Sequence, residues 1–195
     1  RGLGDVYKRQ KRHRYFVDLA GCIYSEKELI CDYRKAESTK RRFEMEFATL
    51  NTGARMPMEG FGVYQITDLD VCEKSVYEAI KAGYRLLDTA AAYGNESALG
   101  KAVKRAIADG LVKREDLFIT TKVWVQDMHK AGDTYASVKR SLALSGLDYF
   151  DLILLHQAMG DYFTAYRDLE KAAKDGLTKA IGVSNYFPSI LVNLC

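Results

Sequence analysis

Four polar side chains close or follow apolar runs in this sequence: Asp88 after Leu86-Leu87, Tyr93 shortly beyond it, Lys122 after Ile119-Thr120-Thr121, and His156 after Leu152-Ile153-Leu154-Leu155. Together they are the parts of a proton-donating device. A tyrosine at its ordinary pKa of about 10 is a poor acid at neutral pH unless a nearby cation favours its ionised form. Lys122 is the candidate cation and is expected to lower the Tyr93 pKa, while Asp88 pairs with the buried ammonium and holds it charged. His156 would then turn a substrate carbonyl oxygen toward the tyrosine hydroxyl. A hydride arriving from a cofactor on the other side would complete a reduction. Taken singly, Asp88 could merely cap a loop, Tyr93 could be a packed aromatic and His156 a structural histidine. Their joint placement on successive strands carries the chemical reading.

That placement depends on the elements around them. Asn51-Thr52-Gly53 suits the turn of a β-hairpin, because Asn and Gly tolerate positive φ. A strand is predicted over 60–64, then a helix begun by Asp68 or Asp70, with Cys72, Val76, Ala79 and Ile80 on one face and Gly83 as its stop. Strand and helix keep alternating: strands over 84–90, 117–123, 150–157 and 179–185, helices over 96–109, 133–145 and 161–174, and a further helix opened by Phe187 and Pro188. Strand cores such as Leu152-Ile153-Leu154-Leu155 are apolar on both faces, which calls for a parallel sheet covered on both sides. An open doubly wound sheet would announce itself by G-x-G-x-x-G after the first strand, and here Gly60-x-Gly62 lacks the third glycine. The expected class is therefore α/β of the barrel kind, whose reacting groups sit at the C-terminal ends of the strands.

Composition narrows the setting. A chain of 195 residues, 48% hydrophobic and 28% charged, suits one substantial globular core. It has no apolar run long enough to span a membrane and no secretory leader pattern, so a cytoplasmic location is expected. The four cysteines, Cys22, Cys31, Cys72 and Cys195, are scattered without a C-x-x-C pair, so reduced thiols and no metal site are expected. Residues 1–44 hold 12 Lys/Arg against 7 Asp/Glu, so the basic excess lies in a leader and argues against nucleic-acid binding by the folded part. Arg1 to Gln10 resembles translated sequencing-adapter DNA. Residues 1–44 are thus expected to be non-native or disordered, with Met45 as the natural start.

The stretch Leu86-Leu87-Asp88-Thr89-Ala90-Ala91-Ala92-Tyr93-Gly94-Asn95-Glu96 closely resembles the second-strand motif of the aldo-keto reductases. The resemblance continues through Ile119 to Trp124, Asp148 to His156 and Ile181 to Tyr186, and covers the chain from about Phe47 onward. It is closest in pattern to bacterial reductases of small or sugar-derived carbonyls, the diketogluconate reductase group. It implies a (β/α)8 TIM barrel with an N-terminal β-hairpin, and a monomer that reduces a small aldehyde or ketone with NADPH, NADH being also admitted. By that resemblance Tyr93 is the general acid, Lys122 and Asp88 its support, and His156 the group that orients the carbonyl. Ser184 and Asn185 resemble residues that hold the nicotinamide carboxamide, although Ser-Asn also suits a turn. Val63, Tyr64 and Asp88 are expected beside the cofactor, and Tyr64, Trp124 and His156 beside the substrate, although Trp124 could equally be core. Gln157-Ala158 and Tyr186 depart from the common pattern and bear on pocket shape.

A complete barrel has eight strands in typically about 250 residues. About five βα units are readable here, so 45–195 is expected to be the N-terminal part of a barrel, a C-terminally truncated fragment prone to aggregation. Two rivals accompany the reductase: a nicotinamide-binding regulatory subunit without turnover, and an inactive barrel fragment.

Overall fold

The computed structural model describes residues 45–194. The expectation for residues 1–44 lies outside the described residues. Strands β1 (Phe47–Thr49) and β2 (Arg55–Pro57) form the antiparallel hairpin, pairing Ala48 with Met56. Its turn is closed by the Gly53 N–H on the Leu50 carbonyl, with Gly53 at φ 81°, the left-handed conformation that glycine adopts without a Cβ clash.

From there strand and helix alternate: β3 (Gly60–Gly62), α1 (Leu69–Ala82), β4 (Leu86–Asp88), α2 (Glu96–Ala108), β5 (Phe118–Val123), α3 (Asp133–Ser145), β6 (Leu152–Leu155), α4 (Tyr162–Lys174), β7 (Ile181–Val183) and α5 (Pro188–Leu194). Of the two predicted caps for α1, Asp68 is the one used: its carboxylate accepts from the N–H groups of Asp70 and Val71. Cys72, Val76, Ala79 and Ile80 form the buried face, as their spacing predicts.

The five strands β3 to β7 lie in chain order, every neighbouring pair parallel. Each crossover therefore advances the sheet in one direction. A doubly wound sheet would reverse direction at a switch point; consecutive order is the winding of a barrel, and the described residues form a five-strand arc of a (β/α)8 barrel. The ladders are shorter than the apolar runs, since β4 is paired only over Leu86–Asp88 of the predicted 84–90. The remainder of each run lines the loops at the strand ends.

Alternation along the strands sorts the side chains. Leu87, Ile119, Ile153 and Leu155 face the helices and pack in one core with Val76, Leu99, Val103, Val138 and Leu169. On the opposite face, Leu86, Phe118, Leu152 and Ala180 meet Met56 of the hairpin, which covers the N-terminal ends of the strands. Moving toward the C-terminal ends, the same face becomes polar, with Asp88 paired in register with Thr120 and Lys122 with Leu154.

Candidate active site

Asp88 is the last residue of β4, Lys122 the penultimate residue of β5, and His156 the first residue past β6. All three are buried. Tyr93 closes a one-turn 3-10 helix (Ala91–Tyr93) in the loop after β4, and Gly94 follows at φ 70° to turn the chain into α2. The geometry brings the four together. The Lys122 ammonium donates to Asp88 Oδ2 at 2.6 Å, to the Thr89 carbonyl at 3.0 Å and, at longer range, to the Tyr93 hydroxyl at 3.5 Å. The Tyr93 ring meets the His156 imidazole edge-on, with centroids 5.6 Å apart.

Electrostatics depart from the sequence expectation at one point. The Tyr93 hydroxyl is pushed up to about 12, first by burial and then by the Asp88 carboxylate and Tyr64, where the sequence reading has Lys122 lowering it. The reason is the 2.6 Å ion pair: Asp88 screens the ammonium that Tyr93 would otherwise feel, and burial then dominates. Asp88 itself is raised by burial, against the pull of Lys122. His156 is lowered to about 4, by burial first and Lys122 second, so it is neutral near pH 7. At that pH the site holds a protonated phenol, a neutral imidazole and an ammonium within reach of the phenol oxygen.

The remaining sequence candidates fall into two groups. Tyr64 is exposed and lies with its ring centroid 4.9 Å from that of Tyr93, and Trp124 meets His156 edge-on at 5.0 Å, so both stand at the same mouth. Ser184 and Asn185 follow β7 directly. Asn185 sits at φ 59°, where its Nδ2 donates to the His156 carbonyl at 2.9 Å and to Ser184 Oγ at 3.1 Å. This leaves Asn185 Oδ1 without a hydrogen bond among the described residues, an acceptor suited to an amide N–H. Val63, by contrast, is fully buried in the helix-side core; its N–H donates to the Asp88 carbonyl and its own carbonyl accepts from Asn95.

Two polar residues with no role assigned from the sequence also belong to the site's framework. Asn95 is 1% exposed and hydrogen-bonds Thr89 Oγ1 and the carbonyls of Val63 and Ile66. Thr89 is fully buried. Their only sequence signal is that Thr89 and Asn95 bracket Tyr93 inside the second-strand motif. The buried Nδ1 of His156 has no hydrogen-bond partner among the described residues. Among these residues there is no group of three or more His, Cys, Asp or Glu placed to hold a metal ion, and no helix long and apolar enough to cross a membrane.

An arc of parallel βα units with a half-buried phenol beside a buried ammonium, carboxylate and imidazole at its C-terminal mouth defines a class: a βα-barrel protein equipped for proton transfer to a polarised oxygen. Residues 60–194 match the model of the Aldo/keto reductase family, and the chain belongs to that family. It is 46% identical over 140 residues to the "Uncharacterized oxidoreductase YtbE" of Bacillus subtilis, covering 71% of this chain and 50% of that protein. It is 36% identical over 173 residues to the "NADPH-dependent D-xylose reductase" of Candida boidinii, covering 75% of this chain and 53% of that protein. Among solved structures, a Bombyx mori aldo-keto reductase in complex with NADP superposes with a TM-score of 0.73 at 35% identity, over 77% of this chain and 54% of that one. An aldo/keto reductase from Brucella melitensis gives 0.72 at 37% identity, over 77% of this chain and 58% of that one. The chain spans about half the length of the curated relatives it matches.

Proposed function

We propose that the protein reduces a small aldehyde or ketone to the alcohol with a nicotinamide cofactor, NADPH for preference and NADH as well. One observation carries the reading: Lys122 lies between Asp88 and the Tyr93 hydroxyl while His156 closes on the same ring, a proton donor and its supports at one barrel mouth. Asn185 Oδ1, with Ser184 beside it, would hold the cofactor's carboxamide, with Tyr64 and Asp88 near the nicotinamide and Val63 next to Tyr64 in the chain. When bound, the reduced cofactor supplies a hydride to the carbonyl carbon. The relatives named for NADPH and the NADP-bound neighbour support this choice of cofactor.

The residues' tasks follow from their states. Tyr93, held protonated at neutral pH, delivers its proton from Oη to the carbonyl oxygen as negative charge grows there. Lys122 then faces the tyrosinate oxygen, and Asp88 keeps the ammonium in place. His156 is neutral and so acts as a hydrogen-bond donor to the carbonyl oxygen rather than as the acid, and Trp124 and Tyr64 shape the wall around it. The test is Tyr93→Phe in the purified full-length protein, assayed with NADPH and small aldehydes. Turnover is expected to fall by about 10²- to 10⁴-fold, the usual contribution of a positioned acid. Unchanged turnover would overturn the proposal.

A further inference from the structure

Asn95 makes three side-chain hydrogen bonds that tie the loop after β4 to the loop after β3, beyond the β3–β4 ladder and the Val63 N–H bond to the Asp88 carbonyl. Its Oδ1 accepts from Thr89 Oγ1 at 2.8 Å, and its Nδ2 donates to the Val63 carbonyl at 2.9 Å and the Ile66 carbonyl at 3.1 Å. The first bond closes the chain from 89 to 95 at its base, and the loop so closed is the one that carries Tyr93. The other two grip the loop after β3 on either side of Tyr64 and Gln65, where Gln65 adopts a positive φ of 65°. Thr89 also offers its carbonyl to Lys122. One buried amide therefore sets the base of the Tyr93 loop, the position of the Tyr64 ring against Tyr93, and one of the acceptors that aim the ammonium.

We infer that Asn95, with Thr89, is the positioning clasp of this site: it touches neither substrate nor cofactor, and it holds Tyr93, Tyr64 and Lys122 in their working relation. The inference rests on the proposed reduction and adds a residue to it. Asn is the required type, because the site needs one acceptor and two donors on a short planar group, which an aspartate or a leucine does not offer.

The experiment compares Asn95→Leu, Asn95→Asp and Thr89→Val with Tyr93→Phe in the full-length protein, well below each variant's melting temperature. Asn95→Leu should lower kcat by about 10- to 100-fold, the cost of displacing reacting groups by about an ångström, with KM changed less. Thr89→Val, which opens only one bond, should lose less. Asn95→Asp sets a second oxygen against two carbonyls unless it carries a proton, so its kcat should rise as pH falls, in a limb that the parent protein lacks. A lowered melting temperature with kcat unchanged in all three variants would reduce Asn95 to a structural residue and overturn the inference. Should Tyr93→Phe keep full turnover, the reductase reading fails, and the clasp is judged by amide hydrogen exchange. Asn95→Leu should then speed exchange at Ile66 and Tyr93, whose N–H groups bond Val63 and Ala90, and unchanged exchange there would overturn it. If Asn95→Leu does not fold, Asn95→Asp and Thr89→Val give the same readings.

Discussion

At the N-terminal ends of the strands Asp151 gives both carboxylate oxygens to partners, accepting from Arg114 at 2.8 Å, the Ile119 N–H at 3.0 Å and Lys179 at 3.1 Å, whereas at the C-terminal ends the Asp88 carboxylate accepts, among the described residues, from Lys122 alone. The lower network is a brace. It joins the starts of β5, β6 and β7 around Tyr149, whose ring is stacked by Arg114 and Lys179, and Arg114 Nε is buried there without a hydrogen-bond partner among the described residues. At the mouth, Asp88 and Tyr93 are pushed up and His156 pushed down, and Nδ1 of His156 is buried without a partner among the described residues; behind β7, where Tyr186 packs edge-on against Tyr162, its hydroxyl is buried without one too. The same strands thus end below in a shared ion network around Asp151 and above in a single ion pair beside a neutral imidazole with a free, buried nitrogen. Groups left short of partners are poised to interact with whatever enters the mouth; satisfied groups only hold the strands.

Asp151→Ala has the largest expected effect on stability, because it leaves the Ile119 N–H without its acceptor and takes the carboxylate from Arg114, which then keeps only the Leu117 and Tyr149 carbonyls. A loss of about 3 to 5 kcal/mol is expected in denaturant titrations, with kcat of the folded protein little changed. A kcat loss at undiminished stability would erase the distinction between the two ends.

His156 comes next. Its folded pKa of about 4 lies below the usual 6.5, so the unfolded chain takes up a proton first and stability falls as pH drops from about 6.5 to about 4. The share of acid destabilisation carried by this one group is on the order of 3 kcal/mol. His156→Gln should flatten that part of the stability profile.

Lys122→Met should cost less than a buried pair usually does, about 1 to 2 kcal/mol, because burial already raises the Asp88 pKa and the orphaned carboxyl can take up a proton. The deficit should shrink as pH is lowered, because the orphaned Asp88 carboxyl is held above the usual carboxylate range by burial. The smallest effect belongs to Tyr186→Phe. Removing a buried hydroxyl with no partner should stabilise by up to about 1 kcal/mol, readable as a small rise in the melting temperature.

Much of the molecule was legible in the one-dimensional pattern. Asp68 and Gly83 bracket α1, and the apolar run at 152–155 is a strand with His156 just past its end. The missing third glycine after Gly60-x-Gly62 pointed away from the doubly wound sheet, and the consecutive strand order agrees. Tyr93 shows where legibility stops. The sequence placed a cation near the phenol and predicted a lowered pKa, but the outcome turns on a 2.6 Å contact and on burial, which residue spacing does not encode.

Asn95 marks the same limit from another side. Its donors go to backbone carbonyls 29 and 32 residues away, and a carbonyl is present at every position, so no residue type betrays the pairing. Local chemistry, the periodicity of apolar side chains and the caps at helix ends, determined the elements and the residue types at their ends. Only tertiary structure decided which of those ends meet and which charges screen one another, because Coulomb energy and desolvation depend on distances and burial that exist only once distant strands lie side by side.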